Sequence, residues 1–382
     1  MKALILGCGN IGSVAAEDLA ESMPTTEVVV ADKDEQRAET VAKKIGKTNI
    51  SYTSVDVTEQ QELNKTLKDF DIVLGFLPGP LGYRLMEACI TAEKDLVDVS
   101  FMAENPLPLN AKASKAGVTI VPDCGLAPGI SNMLVGHAIS LLDRIHTTGI
   151  MVGGLPEKAI PPLDYTITWS PESLIDEYTR KARIVKNGRI IETEALSGLE
   201  TIEFPNVGKL EAFYTDGLRT LMYTVNATDE MWEKTLRYPG HVEKIKLLKA
   251  LGFFEDSPIN IEGASISPRK VTAKLFGQKL WWPEVKDFVA LKIEVSGIKD
   301  GKITRFVYHL LDYCDKKHGI TAMARTTAYP ASIVAQLLLK KNVSEKGVVP
   351  PEKLGMDEKL FQQFLNELSR HEIKINEEKT AS

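Results

Sequence analysis

Short apolar runs separated by amphipathic stretches set the pattern of the first third of the chain. Ala3-Leu4-Ile5-Leu6, Val28 to Ala31, Asp71 to Phe76, Leu96 to Val99 and Val118 to Val121 are too short for helices and apolar enough for strands buried on both faces; Ser51 to Asp56 is a more mixed strand. Between them Ile11 to Ser22, Gln36 to Lys44, Arg84 to Ala92 and Pro106 to Ala116 read as helices. Thr58 with Gln61 has the spacing of a capping box that opens another, ending at Lys68. Leu77-Pro78-Gly79-Pro80 stops the fourth strand as a loop. Strands alternating with helices in this way predict an α/β fold, a Rossmann-type doubly wound parallel sheet.

After Val121 the pattern changes. Pro122 to Gly129 is rich in turn residues and reads as a hinge, followed by a helix from Ile130 to Leu142. Thr148 to Val152, Ile190-Ile191, Leu221 to Val225, Phe288 to Val295 and Ile303 to Leu310 alternate like strands, which predicts a second α+β domain with a mixed or antiparallel sheet. Within it, His241 to Leu251 is a helix stopped by Gly252. Ala331 to Lys340, after Pro330, and Asp357 to Ser369 are closing helices; Gly347 to Pro351 reads as a linker and the charged tail from Glu372 as a fraying end. The domain expectation is 1–124 for a dinucleotide-binding unit, 125–325 for substrate binding and dimerisation, and 326–382 for helices packing back on the first domain.

Composition narrows the function. A chain of 382 residues is too long for one ordinary core. Its net charge of −6 and dispersed lysines lack the basic stripe of a nucleic-acid surface, and no apolar run reaches bilayer length, so neither nucleic acid nor membrane is expected as a partner. The first strand begins so close to Met1 that a signal peptide has no room, and a cytoplasmic protein is expected. Cys8, Cys89, Cys124 and Cys314 have no Cys-x-x-Cys spacing, His137 reads as a structural residue of the helix after the hinge, and His146, His309, His318 and His371 share no ligand spacing with acidic partners; no disulfide and no metal are expected. Trp281-Trp282-Pro283 reads as an anchor of a core or an interface.

The first strand runs directly into Gly7-Cys8-Gly9-Asn10-Ile11-Gly12, and a helix follows. That order is what a dinucleotide needs: Gly7 permits the tight turn, Gly9 lets the backbone approach a pyrophosphate, and Gly12 lets helix and strand pack, with the N–H groups of Asn10 and Ile11 at the helix start. Asp32, about 20 residues beyond Gly12, ends the second strand where a carboxylate accepts from an adenosine ribose. The same carboxylate repels a 2′-phosphate, so NAD is the expected cofactor, although Lys33 beside it is a cation that tolerates the extra phosphate. Asp56-Val57 falls where an adenine amino group is held. Phe76-Leu77-Pro78-Gly79 and Ser100 fall at the carboxyl edge, where ligands bind in open α/β sheets.

Six further stretches carry a resemblance. Asp71 to Pro80, Leu96-Val97-Asp98-Val99-Ser100-Phe101, Gly125 to Ile130, Thr168 to Pro171, Thr235-Leu236-Arg237-Tyr238 and Met323 to Thr327 resemble, in content and order, the saccharopine dehydrogenase (reductase) family. Within it the likeness is nearest to the enzymes that oxidise lysine at its ε-carbon. The resemblance implies an oxidoreductase of two domains that takes a nicotinamide dinucleotide and an amino-acid substrate, releases ammonia, and forms a homodimer or higher homo-oligomer through the middle sheet. Departures point the same way. Where the reductases carry Gly-Leu-Asp-Pro-Gly-Ile-Asp-His, this chain has Ala127, Ser131 and Asn132 at the three polar places; their Ser-Tyr is Ser100-Phe101, and their Asn-Arg-Asp-Ser resembles Asn206 to Lys209. Groups that grip a second amino acid are missing, which suggests a substrate smaller than saccharopine.

Oxidising a primary amine requires a group that takes a proton and returns it, and a cation for the substrate carboxylate. Arg237 is the candidate for the carboxylate. His241, near a helix start that favours its neutral form, and Asp98 and Asp123, at the carboxyl edge, are the candidates for proton transfer or for holding the α-ammonium. Cys124 lies among them as a substrate-side residue, and its packing role is favoured over a nucleophilic one. Two other readings stay open: a reductase acting on saccharopine, carboxynorspermidine or another opine-type amine, and a dinucleotide-binding sensor without chemistry.

Overall fold

The structure, a computed structural model, describes residues 1–225, 228–282 and 284–382. The chain divides into two compact units: one of Met1–Ser140, Arg219–Leu221 and Ala324–Lys374, the other of Leu141–Leu218, Met222–Met323 and Ile375–Ser382. The boundaries therefore differ from three consecutive segments breaking at 125 and 326. The helix after the hinge and residues 324–374 count with the dinucleotide-binding unit, and the last eight residues with the other.

In the first unit, strands β1 (Lys2–Leu6), β2 (Glu27–Asp32), β3 (Ile50–Ser54), β4 (Ile72–Gly75), β5 (Asp95–Asp98) and β6 (Thr119–Val121) alternate with helices α1 (Asn10–Ser22), α2 (Glu35–Ile45), α3 (Gln60–Leu67), α4 (Gly79–Thr91) and α5 (Asn110–Ala116). With β17 (Gly347–Val348) they form a seven-stranded parallel sheet in the order β17-β6-β5-β4-β1-β2-β3. Leu4, Leu6, Val29, Val73, Leu96 and Ile120 from the strands pack against Leu63, Leu85, Met86 and Leu109. The order reverses direction between β1 and β4, which creates the crevice at the strands' carboxyl ends where such sheets bind ligands. Helices α6 (Ile130–Ser140), α11 (Ala322–Leu339), α12 (Pro351–Met356) and α13 (Glu358–Arg370) complete the helical set around it.

Several local expectations are corrected here. Residues 347–351 are not a linker: Gly347 N–H donates to Val118 O and Val349 N–H to Ile120 O, at 2.8 and 2.9 Å, adding a parallel strand beside β6. Helix α4 begins at Gly79, because Pro80 sits in a first turn that needs no N–H donor. The Thr58 capping box does not form; its hydroxyl donates to Asp56 Oδ1 and Glu59 becomes the N-cap. Pro330 lies inside α11 instead of preceding a shorter helix.

The second unit is built on a nine-stranded mixed sheet. Its path is β10 (Glu200–Phe204), β11 (Gly208–Tyr214), β12 (Glu230–Arg237), β7 (Arg144–Pro156), β15 (Asp287–Lys299), β16 (Lys302–Tyr313) and β18 (Ile375–Ala381), while β8 (Ala182–Lys186) joins β12 to β9 (Arg189–Thr193). Among the described residues, only β12 and β7 pair in parallel within it. One core gathers Leu155, Phe204, Leu210, Leu236 and Phe288 on the sheet. A second joins Tyr165, Tyr178 and Phe213 to helices α7 (Pro171–Thr179), α9 (His241–Ala250) and α10 (Pro268–Lys279), beside a separate hairpin of β13 (Ile259–Ile261) and β14 (Ala264–Ile266). The tail from Glu372 does not fray: Ile375 to Ala381 pairs antiparallel with β16. Trp281 and Trp282 are exposed, so they anchor no core, and Pro283 lies outside the described residues. Leu221 to Val225, read as a strand, starts with the helical turn α8 (Leu221–Thr224); an apolar run of that length does not separate the two periods.

Candidate functional site

The turn between β1 and α1 is shaped as a cradle that side chains would fill. Gly7 has φ +102°, and a Cβ there would stand 2.4 Å from Phe76 O; a Cβ on Gly12 would stand 2.0 Å from Gly7 O. Neither position admits another residue without moving backbone, whereas Gly9 is open, with only Arg37 Nη2 within 4 Å. Helix α1 starts at Asn10, and among the described residues no side chain caps its first N–H groups. That leaves donors and the positive end of the helix for an anion, which is what a dinucleotide's pyrophosphate presents. Asp32 closes the turn from β2: its Oδ2 accepts from Cys8 N–H at 2.9 Å and its Oδ1 from Asp34 N–H at 3.1 Å. The cradle thus fits a dinucleotide, and the chemistry such a group supplies when bound is to accept or give a hydride at its nicotinamide. Asp56 spends Oδ1 on Thr58, Val57 packs on the core edge, and Lys33 is exposed.

Next along the carboxyl edge, Phe76 seats the glycine turn and Gly79 seats the loop after β5, since a Cβ on Gly79 would meet Phe101 O at 2.5 Å. Leu77 and Pro78 bridge the two. Asp98 ends β5 fully buried. Ser100 N–H donates to its Oδ1 at 3.0 Å and the Ser100 hydroxyl donates to the same oxygen. Its Oδ2 has no hydrogen-bond partner among the described residues. Gly75 and Gly82 make the room: a Cβ on the first would meet Asp98 Oδ2 and one on the second Ser100 Oγ. Burial pushes the carboxyl up to about 7 against the pull of the Ser100 bonds, with Asp123 raising it further and Arg219 lowering it.

Asp123, after β6, pairs with Arg219: Nε lies 3.2 Å from Oδ1 and 3.3 Å from Oδ2, and both side chains are buried. Nη2 of Arg219 donates to Glu104 O at 3.3 Å, and the guanidinium lies over the Phe101 ring at 5.9 Å. Asp123 and Arg219 have φ of +53° and +55°. A left-handed conformation in two facing non-glycine residues is strain of the kind that concentrates at working sites. Cys124 beside them is buried, and burial raises its thiol far above the range in which it ionises. The structure therefore brings Asp98, Ser100, Asp123 and Cys124 together and adds Arg219, which the sequence pattern did not single out. Its only local signal is Gly217 two residues earlier, in a segment remote in sequence from the sheet.

Arg237 and His241 lie in the other unit and in a different setting. Arg237 Nη2 donates to Glu177 at 2.6 Å, Nη1 to Leu236 O at 2.8 Å and Nε to Tyr178 Oη at 3.4 Å, with the guanidinium over the Tyr165 ring. Three of its five N–H donors are thus spent inside the protein, and the guanidinium itself is buried. His241 is fully buried. Its Nδ1 faces Leu163 O at 2.7 Å, which assigns the proton to Nδ1 and makes Nε2, 2.9 Å from Tyr178 Oη, the acceptor. Burial, with Arg237 adding to it, lowers the imidazole to about 3, so it stays neutral. These residues form a satisfied polar network inside the second core.

Among the described residues, no group of three or more His, Cys, Asp and Glu side chains is arranged to hold a metal, and no helix is long and apolar enough to cross a membrane.

The Asp98 shift predicts a pH dependence. Below the ordinary value of 3.8 the carboxyl is neutral folded or unfolded; between 3.8 and about 7 the unfolded chain releases a proton that the folded chain keeps. Stability from this group is thus fully present below the unfolded value and is lost as the pH rises through the folded one. Asp98→Asn should flatten that loss, so the variant gains on the parent across the window and the difference levels off above it. Urea midpoints over a pH series measure this; parallel profiles for the two proteins would remove the buried ionisation.

Residues 3–121 match the saccharopine dehydrogenase NADP binding domain and residues 125–373 the saccharopine dehydrogenase C-terminal domain. The first match makes the glycine cradle a nicotinamide dinucleotide site. The chain is 27% identical over 290 residues to saccharopine dehydrogenase [NADP(+), L-glutamate-forming] of Saccharomyces cerevisiae, a match covering 72% of this chain and 64% of that one. It is 22% identical to carboxyaminopropylagmatine dehydrogenase of Synechocystis sp., over 93% of each. The apo structure of the S. cerevisiae saccharopine dehydrogenase (L-Glu forming) superposes with a TM-score of 0.80 at 21% identity, over 99% of both chains, which shows a shared fold. The chain spans 64% of the first of these relatives and 44% of alpha-aminoadipic semialdehyde synthase of Arabidopsis thaliana.

Proposed function

The chain belongs to the saccharopine dehydrogenase family of oxidoreductases, and on that premise we propose that it is an L-lysine 6-dehydrogenase using NAD. The reaction takes L-lysine, the oxidised dinucleotide and water to 2-aminoadipate 6-semialdehyde, the reduced dinucleotide and ammonia. The semialdehyde then closes on its own α-amine to piperideine-6-carboxylate. The observation that carries this reading is the buried Asp123–Arg219 pair beside the Asp98–Ser100 pair: one guanidinium and one facing carboxylate match the charges of a single amino acid.

In this reading Arg219 receives the substrate α-carboxylate on the N–H groups not spent on Asp123 and Glu104, and Asp123 receives the α-ammonium. The ε-amine must be neutral to lose hydride. Ser100, bonded to a carboxyl held near 7, takes the amine's proton into the Asp98 pair and returns it to the leaving ammonia after water adds to the imine. Phe101, where the reductases carry Tyr, and Ala127, where they carry Asp, remove polar groups that a second amino acid would use, and Ser131 and Asn132 put uncharged side chains where the reductases carry Asp and His. On this reading the protein works in the cytoplasm as a homodimer or higher homo-oligomer.

A second reading is supported by the relatives, whose printed names are those of dehydrogenases acting on saccharopine and carboxyaminopropylagmatine. On it, the chain makes or breaks a secondary amine. Absorbance of the reduced dinucleotide, followed with lysine, ornithine and saccharopine in both cofactors, separates the two. The first reading expects turnover with lysine alone; turnover only with saccharopine, or in reverse only when an amine and a 2-oxo acid are both present, supports the second.

A further inference from the structure

We infer that Arg37 is the residue that admits a 2′-phosphate at the adenosine end of the dinucleotide site, so that this chain binds NADP as well as NAD. The inference deepens the cofactor half of the function proposed above and is independent of which amine is oxidised.

Residue 8 of the glycine turn is held from both sides. Its N–H donates to Asp32 Oδ2 at 2.9 Å, and its carbonyl accepts from Arg37 Nε at 3.0 Å. Asp32 reaches it from the end of β2 and Arg37 from the first turn of α2. The two side chains of opposite charge therefore flank one peptide of the cradle, yet they form no ion pair with each other, and Arg37 has none with any other described residue. Arg37 Nη2 is also the nearest atom to the place a Gly9 Cβ would occupy, at 3.9 Å. Its guanidinium stands at the open side of the turn that approaches the dinucleotide, exposed and unneutralised.

Each group has a partner in one form of the cofactor. The carboxylate oxygens of Asp32 each accept one backbone N–H and keep further acceptor capacity for a ribose 2′-hydroxyl. A guanidinium pinned at Nε by a backbone carbonyl keeps its Nη donors, already oriented, for a phosphate placed at that same 2′ oxygen. Lys33, the cation that the sequence puts next to Asp32, lacks such a fixing bond, and its resolved electrostatic neighbour is Asp56. An ammonium with no fixing bond, whose charge acts on another carboxylate, is the weaker candidate. The opposition of Asp32 and Arg37 sets the preference between the two dinucleotides, with Asp32 favouring the hydroxyl and Arg37 the phosphate.

Two half-cofactor probes test this without any amine: calorimetric titration with adenosine 2′,5′-bisphosphate and with 5′-AMP. The wild-type protein should bind both. Arg37→Met should lose about tenfold or more in affinity for the bisphosphate while AMP changes by less than about threefold, and Arg37→Lys should recover part of the loss. Equal losses for both probes would reduce Arg37 to a support for Cys8 and overturn the inference. So would bisphosphate binding that Arg37→Met leaves unchanged, or a wild-type protein that does not bind the bisphosphate. The exposed position of Arg37 keeps the variants folded, and failure of lysine oxidation leaves these titrations unaffected.

Discussion

Arg219→Met should destabilise the protein by about 3 to 5 kcal/mol, the cost of leaving one member of a buried ion pair uncompensated. Asp123, 1% exposed, would keep its charge in a low-dielectric setting or take up a proton; either outcome costs free energy that Arg219 offsets at 3.2 Å. The double variant Asp123→Asn with Arg219→Met should recover much of the loss, because replacing both members removes the desolvated charge. Urea unfolding of the single and double variants gives the coupling directly. A single variant within about 1 kcal/mol of the parent would show the pair to be solvent-screened, and additive losses would show the two residues to be uncoupled. The same cycle bears on function: Asp123 and Arg219 both sit in left-handed backbone and face each other, so removing one takes away a contact that holds the other in place.

Gly12→Ala should be as damaging, and at a different step. Its Cβ would stand 2.0 Å from Gly7 O, a backbone atom already fixed by the Gly7 N–H bond to Ala31 O at 2.8 Å. The strand end, the turn and the helix start cannot all keep their places, so α1 must withdraw from the cradle. Overpacking of this kind costs about 3 kcal/mol, and displacement of the anion-binding N–H groups should weaken dinucleotide binding by about a hundredfold. Thermal unfolding with and without NAD measures both, the second as a lost ligand-induced shift. Gly9→Ala is the control: the site is open there, so it should fold normally and lose only affinity. A Gly12→Ala protein with the parent's stability and NAD shift would mean that the turn is not the rigid cradle described.

The first unit was legible because burial on both faces imposes a pattern. Strands of a central parallel sheet read as continuous apolar runs, and β1, β2, β4 and β5 follow that rule from Leu4 to Val97. Asp32 and the glycines were legible from spacing alone. What escaped lacks a side-chain signature. Strand β17 is two residues long and is placed by backbone bonds to β6 from more than 200 residues away, and β18 has apolar residues at its two ends alone, Ile375 and Ala381. Both are held by backbone pairing at a sheet edge, which hydrophobic periodicity does not register. Pro330 misled for another reason: the usual cost of an interior proline argued for a helix beginning after it, yet α11 continues through it.

The candidate site divides along the same line. Asp98 ends β5 and Asp123 lies two residues beyond β6, strands whose positions the pattern predicts, so the carboxyl edge could be placed. Arg219 belongs to a three-residue excursion, Arg219–Leu221, that counts with the first unit although its flanking chain counts with the second. No local pattern announces such a crossing. Conversely, Arg237 and His241 had motif and position in their favour, but β12 and α9 turn them inward, where Glu177, Tyr178 and the Leu163 carbonyl satisfy them. Periodicity at that resolution gives the element and not the direction of the side chain.

The most direct measurement is the fate of the ε-nitrogen. Lysine labelled with nitrogen-15 at the ε-position, incubated with NAD and the protein, should release labelled ammonium in step with the reduced cofactor, leaving a cyclised product without the label. Label retained in a secondary amine, formed only when a 2-oxo acid is supplied, would contradict oxidative deamination of lysine.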